Sequence, residues 1–364
     1  MVKSAGRPTP TATLATFGRL PDGREVPAIL LTNTHGLSVR LIAYGAAVQS
    51  VMLPDRAGTM ADVVLGYATI EEYLAKPQYL GATVGRFANR IARSRFTIDG
   101  QVYSTPANDG VNALHGGTVG FDKVLWAVTE VRSEPAASVT MRHVSRDGDQ
   151  GYPGTMTVDA LYRLDDDDRL SIEYRASTDK ATIVNITNHT YWNLTGEGSP
   201  AGAMGHVVTI PAESFLPTDA GAIPTGEFRS VRDTPFDFRT PRVVGEQVRD
   251  AGDQQIVFGR GYDHNWVVGR EVTPDLHLMA RVRDPVSGRG FELMSNQPGL
   301  QFYSGNFLDG TSHGKANRTY RGGDAIVLEP QIFPNTPNQA TFGSALLLPD
   351  QIYRNMMVYS FTNI

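Results

Sequence analysis

The sequence predicts an all-β protein, a large antiparallel β-sandwich with few short helices. Three observations predict it. Short β-type runs alternate with turn signals along nearly the whole chain. Helix signatures are confined to two brief stretches. Gly (37) and Pro (22) are spread through the 364 residues rather than gathered in one linker, as many strands joined by many turns require.

The elements follow in order. Residues 1–13, rich in Pro, Thr and Ala, read as a flexible lead-in, and 14–364 as a single β-sandwich domain. Strands are expected at Leu41–Tyr44, Ala47–Leu53 and Asp62–Gly66. Thr69-Ile70-Glu71-Glu72-Tyr73-Leu74 opens like a capping box, so one short helix is expected there. Arg95–Ile98 and Gln101–Tyr103 flank Asp99-Gly100, a strong two-residue hairpin turn. Leu161–Leu164 and Leu170–Tyr174 flank the acidic run Asp165–Asp168, which lacks the glycine and closing glutamate of a calcium loop and reads as a solvated hairpin tip. Glu246-Gln247-Val248 reads as a second brief helix. His277–Val282 and Gly290–Met294 form a further hairpin, and Ala325–Leu328 is an apolar strand.

Composition excludes several functions. The formal charge is −5, from 33 basic and 38 acidic residues, and no basic block marks a nucleic-acid surface. There is no cysteine, hence no disulfide, thiolate metal site or cysteine nucleophile. No run is long and apolar enough to span a membrane, and the N-terminus lacks the apolar core of a signal peptide, so a cytoplasmic protein is expected. His-Glu-x-x-His, Gly-x-Gly-x-x-Gly and Walker patterns are missing, so neither a metal nor a nucleotide cofactor is expected. Asn-x-Thr triplets at Asn185, Asn188 and Asn193 read as chance matches to a glycosylation pattern.

Chemistry concentrates in Asn185-Ile186-Thr187-Asn188-His189-Thr190-Tyr191-Trp192-Asn193-Leu194. Aromatic faces with a few directed polar groups suit a sugar, which has apolar C–H faces and a polar rim. His189 titrates near neutrality and is the natural proton donor. Glu329 follows an apolar strand, where an unpaired carboxylate costs several kcal/mol. Asn89 and Arg90 could hold sugar hydroxyls or make ordinary salt bridges. Asp263, beside Tyr262 and Trp266, could accept vicinal hydroxyls or cap a turn. His115-Gly116-Gly117 lacks the Gly-x-Ser-x-Gly partner of a serine hydrolase and reads as a sharp turn.

Seven segments, in order, resemble the aldose 1-epimerases, also called galactose mutarotases. They begin at Asp62, Gly85, Leu114, Thr187, Tyr262, Gln297 and Leu328, and the resemblance runs from about Ala15 to the C-terminus. It implies the mutarotase-type supersandwich and interconversion of the anomers of a free aldohexose without metal or coenzyme. It implies a monosaccharide as the partner, and a monomer or weak homodimer. By motif, His189 is implied as general acid and Glu329 as general base, with Asn89, Arg90, His115, Tyr191, Asp263 and Gln301 contacting the sugar and Arg86 as a neighbour. Trp192 departs from the phenylalanine of many relatives, which implies tuning rather than loss of activity. A hexose-phosphate epimerase, a non-catalytic sugar-binding protein and a glycosidase are the competing readings.

Overall fold

A computed structural model describes residues 9–363. Three antiparallel sheets dominate it. A five-stranded meander runs Thr11–Arg19, Glu25–Thr32, Ser38–Ile42, Ala47–Pro54 and Met60–Asp62. A nine-stranded sheet is built around Met156–Leu164, Arg169–Thr178 and the last strand, Tyr353–Asn363. A six-stranded sheet has the spatial order Tyr191–Trp192, Ile326–Gln331, Gly299–Tyr303, Asp263–Val267, Ser214–Leu216, Arg229–Ser230. Among the described residues there are two α-helices, each of six residues. No helix is long and apolar enough to cross a membrane.

Side-chain alternation explains the layering. In Met156–Leu164 every second residue is buried, from Met156 through Val158, Ala160 and Tyr162 to Leu164, so one face packs on the core. Ile326–Gln331 is buried on both faces. Ile326 and Leu328 enter the main core, whereas Val327 enters a second cluster with Tyr191 and Tyr303. The period of two therefore turns Glu329 toward the tyrosines rather than the main core.

The expected elements appear with local corrections. Thr69 caps Ile70–Ala75, and both bonds of its capping box with Glu72 form. Asp99 and Gly100 have φ of 48° and 80°, the twist a two-residue hairpin needs. The first strand starts at Thr11, inside the segment expected to be loose; residues 1–8 of that segment lie outside the described residues. The expected strand Asp62–Gly66 ends at Asp62, and Val64 makes only an isolated bridge with Trp192. The strand expected at Leu41–Tyr44 ends at Ile42. A single 3₁₀ turn, Val244–Glu246, replaces the helix expected at Glu246–Val248; the second α-helix, Gln254–Gly259, was not anticipated. The acidic tip is not simply solvated, because Asp168 accepts from Asn33 Nδ2 at 2.6 Å and Asp165 accepts the amides of Asp167 and Arg169.

Candidate active site

Strand register assembles one wall of a cleft. Gln301 lies opposite Glu329, Tyr303 opposite both Val327 and Asp263, and Tyr191 opposite Val327. The opposite wall comes from loops. His189 is pinned by its backbone, with its N–H to Ala82 O at 2.8 Å and its carbonyl accepting from Gly81 N–H at 3.0 Å. The Asn89 N–H donates to His115 Nδ1 at 3.1 Å and the His115 N–H donates to Asn89 O at 3.0 Å, which couples these two residues reciprocally. Tyr79, Asn89 and His115 have φ of 58°, 62° and 50°, left-handed values that non-glycine residues adopt at a cost and that cluster at functional sites. The turn after His115 requires glycine, since a Cβ on Gly116 would stand 1.9 Å from Gly85 O.

The cleft holds about 230 Å³ and is lined by His189, Glu329, Asn89, Arg90, His115, Tyr191 and Asp263, together with Gln78, Tyr79, Asp109, Leu114, Tyr303 and Phe307. That is below the roughly 300–1,000 Å³ of drug-sized sites and suits one small molecule. His189 Nε2 and Glu329 Oε1 are 3.8 Å apart, both side chains being almost wholly buried. Neither His189 Nδ1 nor Glu329 Oε2 has a hydrogen-bond partner. Burial lowers the His189 pKa to about 4. Burial, reinforced by Asp263 and opposed by Arg90, holds the Glu329 carboxyl well above its ordinary range. Arg90 donates from Nε to Asp109 Oδ2 at 2.7 Å and lies 3.8 Å from Asp263 Oδ2. Burial disfavours its charge, but the two carboxylates hold its pKa above the ordinary value.

Of the eight residues expected to act on the sugar, Gln301 is the one not among those lining the cleft; its Nε2 donates to Asp263 Oδ1 at 2.8 Å. Asp263 belongs to a strand facing the cleft and is not a turn cap. Arg86 lies outside the cleft, buried among the carbonyls of Pro153, Gly154, Ser145 and Arg146. Trp192 projects from the opposite face of its strand onto Phe291 and Tyr359. Asp109, Tyr79 and Phe307 were missed in the sequence. Tyr303 and Phe307 lie downstream of Gln297, but nothing in the sequence alone gave them a wall of the cleft.

His115, His189 and Glu329 offer ligand atoms within 4.8 Å of one another, as a metal site would. The hydrogen bonding does not fit that use. His115 Nδ1 accepts a backbone N–H, so the neutral ring carries its proton on Nε2 and presents a donor, not a lone pair. Burial and the neighbouring His189, Arg90 and Lys123 charges keep this ring neutral, with its pKa well below the ordinary value.

Asp109 aims the guanidinium of Arg90. Asp109→Asn is expected to raise KM for the sugar about 3–10-fold with a smaller change in kcat, since a charge-assisted bond contributes roughly 1.5–3 kcal/mol and the exposed side of this pair weakens it. Steady-state polarimetry checks this; an unchanged KM would remove Asp109 from the site.

The fold is that of the galactose mutarotase-like β-sandwich proteins. A solved aldose epimerase homologue from C. elegans superposes with a TM-score of 0.82 at 32% identity, covering 90% of this chain and 96% of that one. Galactose 1-epimerase from Lactobacillus acidophilus superposes at 0.84 with 27% identity, covering 97% and 99%. The aldose 1-epimerase family model matches residues 27–360. Galactose mutarotase of Mus musculus is 42% identical over 352 residues, 97% of this chain and 99% of that protein. The chain belongs to the aldose 1-epimerase family.

Proposed function

We propose that this protein interconverts the α and β anomers of free aldohexoses such as D-glucose and D-galactose, with Glu329 and His189 as the proton-transferring pair. The observation that carries this reading is the pair itself, 3.8 Å apart at the floor of a cleft sized for one small molecule. Relatives named galactose mutarotase and aldose 1-epimerase support the substrate class.

In the ring form the anomeric hydroxyl loses its proton to the Glu329 carboxylate. His189, as imidazolium, gives a proton to the ring oxygen. The C1–ring oxygen bond breaks, its electron pair going to the protonated oxygen, while the electrons of the lost O–H form the carbonyl. Rotation about C1–C2 presents the other carbonyl face. Closure runs backwards, with neutral His189 as base and the Glu329 carboxylic acid as donor, so no net proton enters or leaves. Burial favours the uncharged pair, the state reached when the ring is open. Sugar hydroxyls donating to the carboxylate favour the ion pair that starts the cycle. His115 Nε2–H and Arg90 are donors for the oxygen that carries developing charge. Asp263, held by Gln301, accepts sugar hydroxyls.

The charges favour a neutral sugar over a sugar phosphate. Arg90 is the one cationic side chain among the lining residues, and two carboxylates already engage it. Faster relaxation of optical rotation when the protein is added to freshly dissolved α-D-glucose or α-D-galactose, compared with glucose 6-phosphate, tests the proposal. Relaxation no faster than in buffer would overturn it.

The same pair sets the pH dependence. Catalysis needs one proton shared between the two groups. Acidification adds a second as His189 titrates near about 4, and alkali removes the first as Glu329 titrates well above its ordinary range. The kcat/KM profile, which reports the sugar-free protein, is expected to be a bell with its acid limb near pH 4, and His189→Asn should abolish that limb.

A further inference from the structure

We propose that Tyr79 is a positioning residue that holds the two imidazoles of the cleft in place and screens them from the charged pocket behind it; this rests on the mutarotase reading of the same site. The Tyr79 ring is 4.7 Å from the His115 ring and 5.7 Å from that of His189, and the two imidazoles meet edge-on at 5.2 Å. The three rings form one contiguous cluster, so Tyr79 packs against both imidazoles. The side chain lines the cleft and also a cavity of about 20 Å³ on the far side, bounded by Asp122 and Lys123, enough room for roughly one water. Tyr79 and its neighbour Gln78 stand between the two.

On that far side Lys123 Nζ lies 5.3 Å from the Tyr79 ring centroid and 3.1 Å from Asp122 Oδ2. The ammonium thus meets a π face and a carboxylate, while its charge still reaches His115. The backbone of Tyr79 pays for this placement with φ of 58°, which a purely space-filling aromatic would not require.

The groups that face the imidazoles bound the effect. Around His189 stand Glu329, His115, Tyr191 and Tyr303; toward His115 stand Arg90, Lys123 and His189. All of these remain when Tyr79 is changed. Loss of the ring adds a second approach for water to His189 beside the cleft it already lines, and hydration favours the charged imidazolium.

The test compares Tyr79→Phe and Tyr79→Leu with the parent protein, by pH profiles of kcat/KM in polarimetry and by NMR titration of the His189 ring protons. Tyr79→Phe, which keeps the ring, is expected to leave the acid limb and the titration midpoint in place. Tyr79→Leu is expected to move both toward the ordinary histidine value by about one pH unit, a tenfold change in the proton affinity of His189. If Tyr79→Leu does not fold, Tyr79→Met replaces the bulk without the aromatic face. Unmoved midpoints in the leucine or methionine variant, or the same movement in Tyr79→Phe, would overturn the proposal. The NMR midpoints are read without sugar, so they decide the role of Tyr79 even if the parent protein fails to accelerate mutarotation, an outcome that would sink the functional reading instead.

Discussion

Glu329→Gln and His189→Asn are each expected to lower kcat by about 10²–10⁴-fold, the contribution of one general acid or base, while the protein stays folded. Both replacements keep the approximate shape and remove only the ability to exchange a proton. Gln also removes a buried group whose Oε2 has no partner, so Glu329→Gln should hold or raise the melting temperature. KM should change less than kcat, because Arg90, Asn89 and Asp263 still line the cleft. Polarimetric kinetics with a thermal melt on the same samples checks both statements. Near-parental turnover in either variant would show that the proton passes elsewhere.

The largest stability effect is expected from Arg86→Leu. Its guanidinium donates to the carbonyls of Pro153 at 2.8 Å and Gly154 at 3.0 Å and to Ser145 Oγ at 2.7 Å, tying three separate chain segments together. Burial lowers its pKa to about 10, yet it remains charged at neutral pH. Leucine would leave those buried acceptors unpaired, at a cost of about 3–5 kcal/mol. At roughly 2 °C per kcal/mol for a large domain, the melting temperature should fall by about 6–10 °C. A melt within a degree or so of the parent protein would mean that water replaces the guanidinium without loss.

How legible this was depended on the distance over which each signal acts. The capping box at Thr69, the Asp99-Gly100 turn and the strand expected at Leu161–Leu164 were readable because their causes lie within a few residues. The strand expected at Asp62–Gly66 was not, since Val63 and Val64 are apolar for the core they enter rather than for a ladder they join. Seven of the eight expected site residues line one cleft. The bond from Gln301 to Asp263 was not readable, because a strand's register cannot be read from its own composition. Asp109 and Tyr79 were invisible for a similar reason. One matters through an ion pair 19 residues away, and the other through ring contacts to histidines brought together only by folding.

The register that sets Gln301 against both Glu329 and Asn265 divides the labour of the site in a way that bears on its evolution. Glu329 and Asp263 are spaced by neighbouring rungs of hydrogen-bonded backbone, where an insertion of one residue would invert every side chain beyond it. Asp109, Gln78 and Phe307 instead lie outside regular strands, where length and composition can drift at little cost. Descendants of this chain can therefore explore new sugars by editing the rim while inheriting the reaction unchanged.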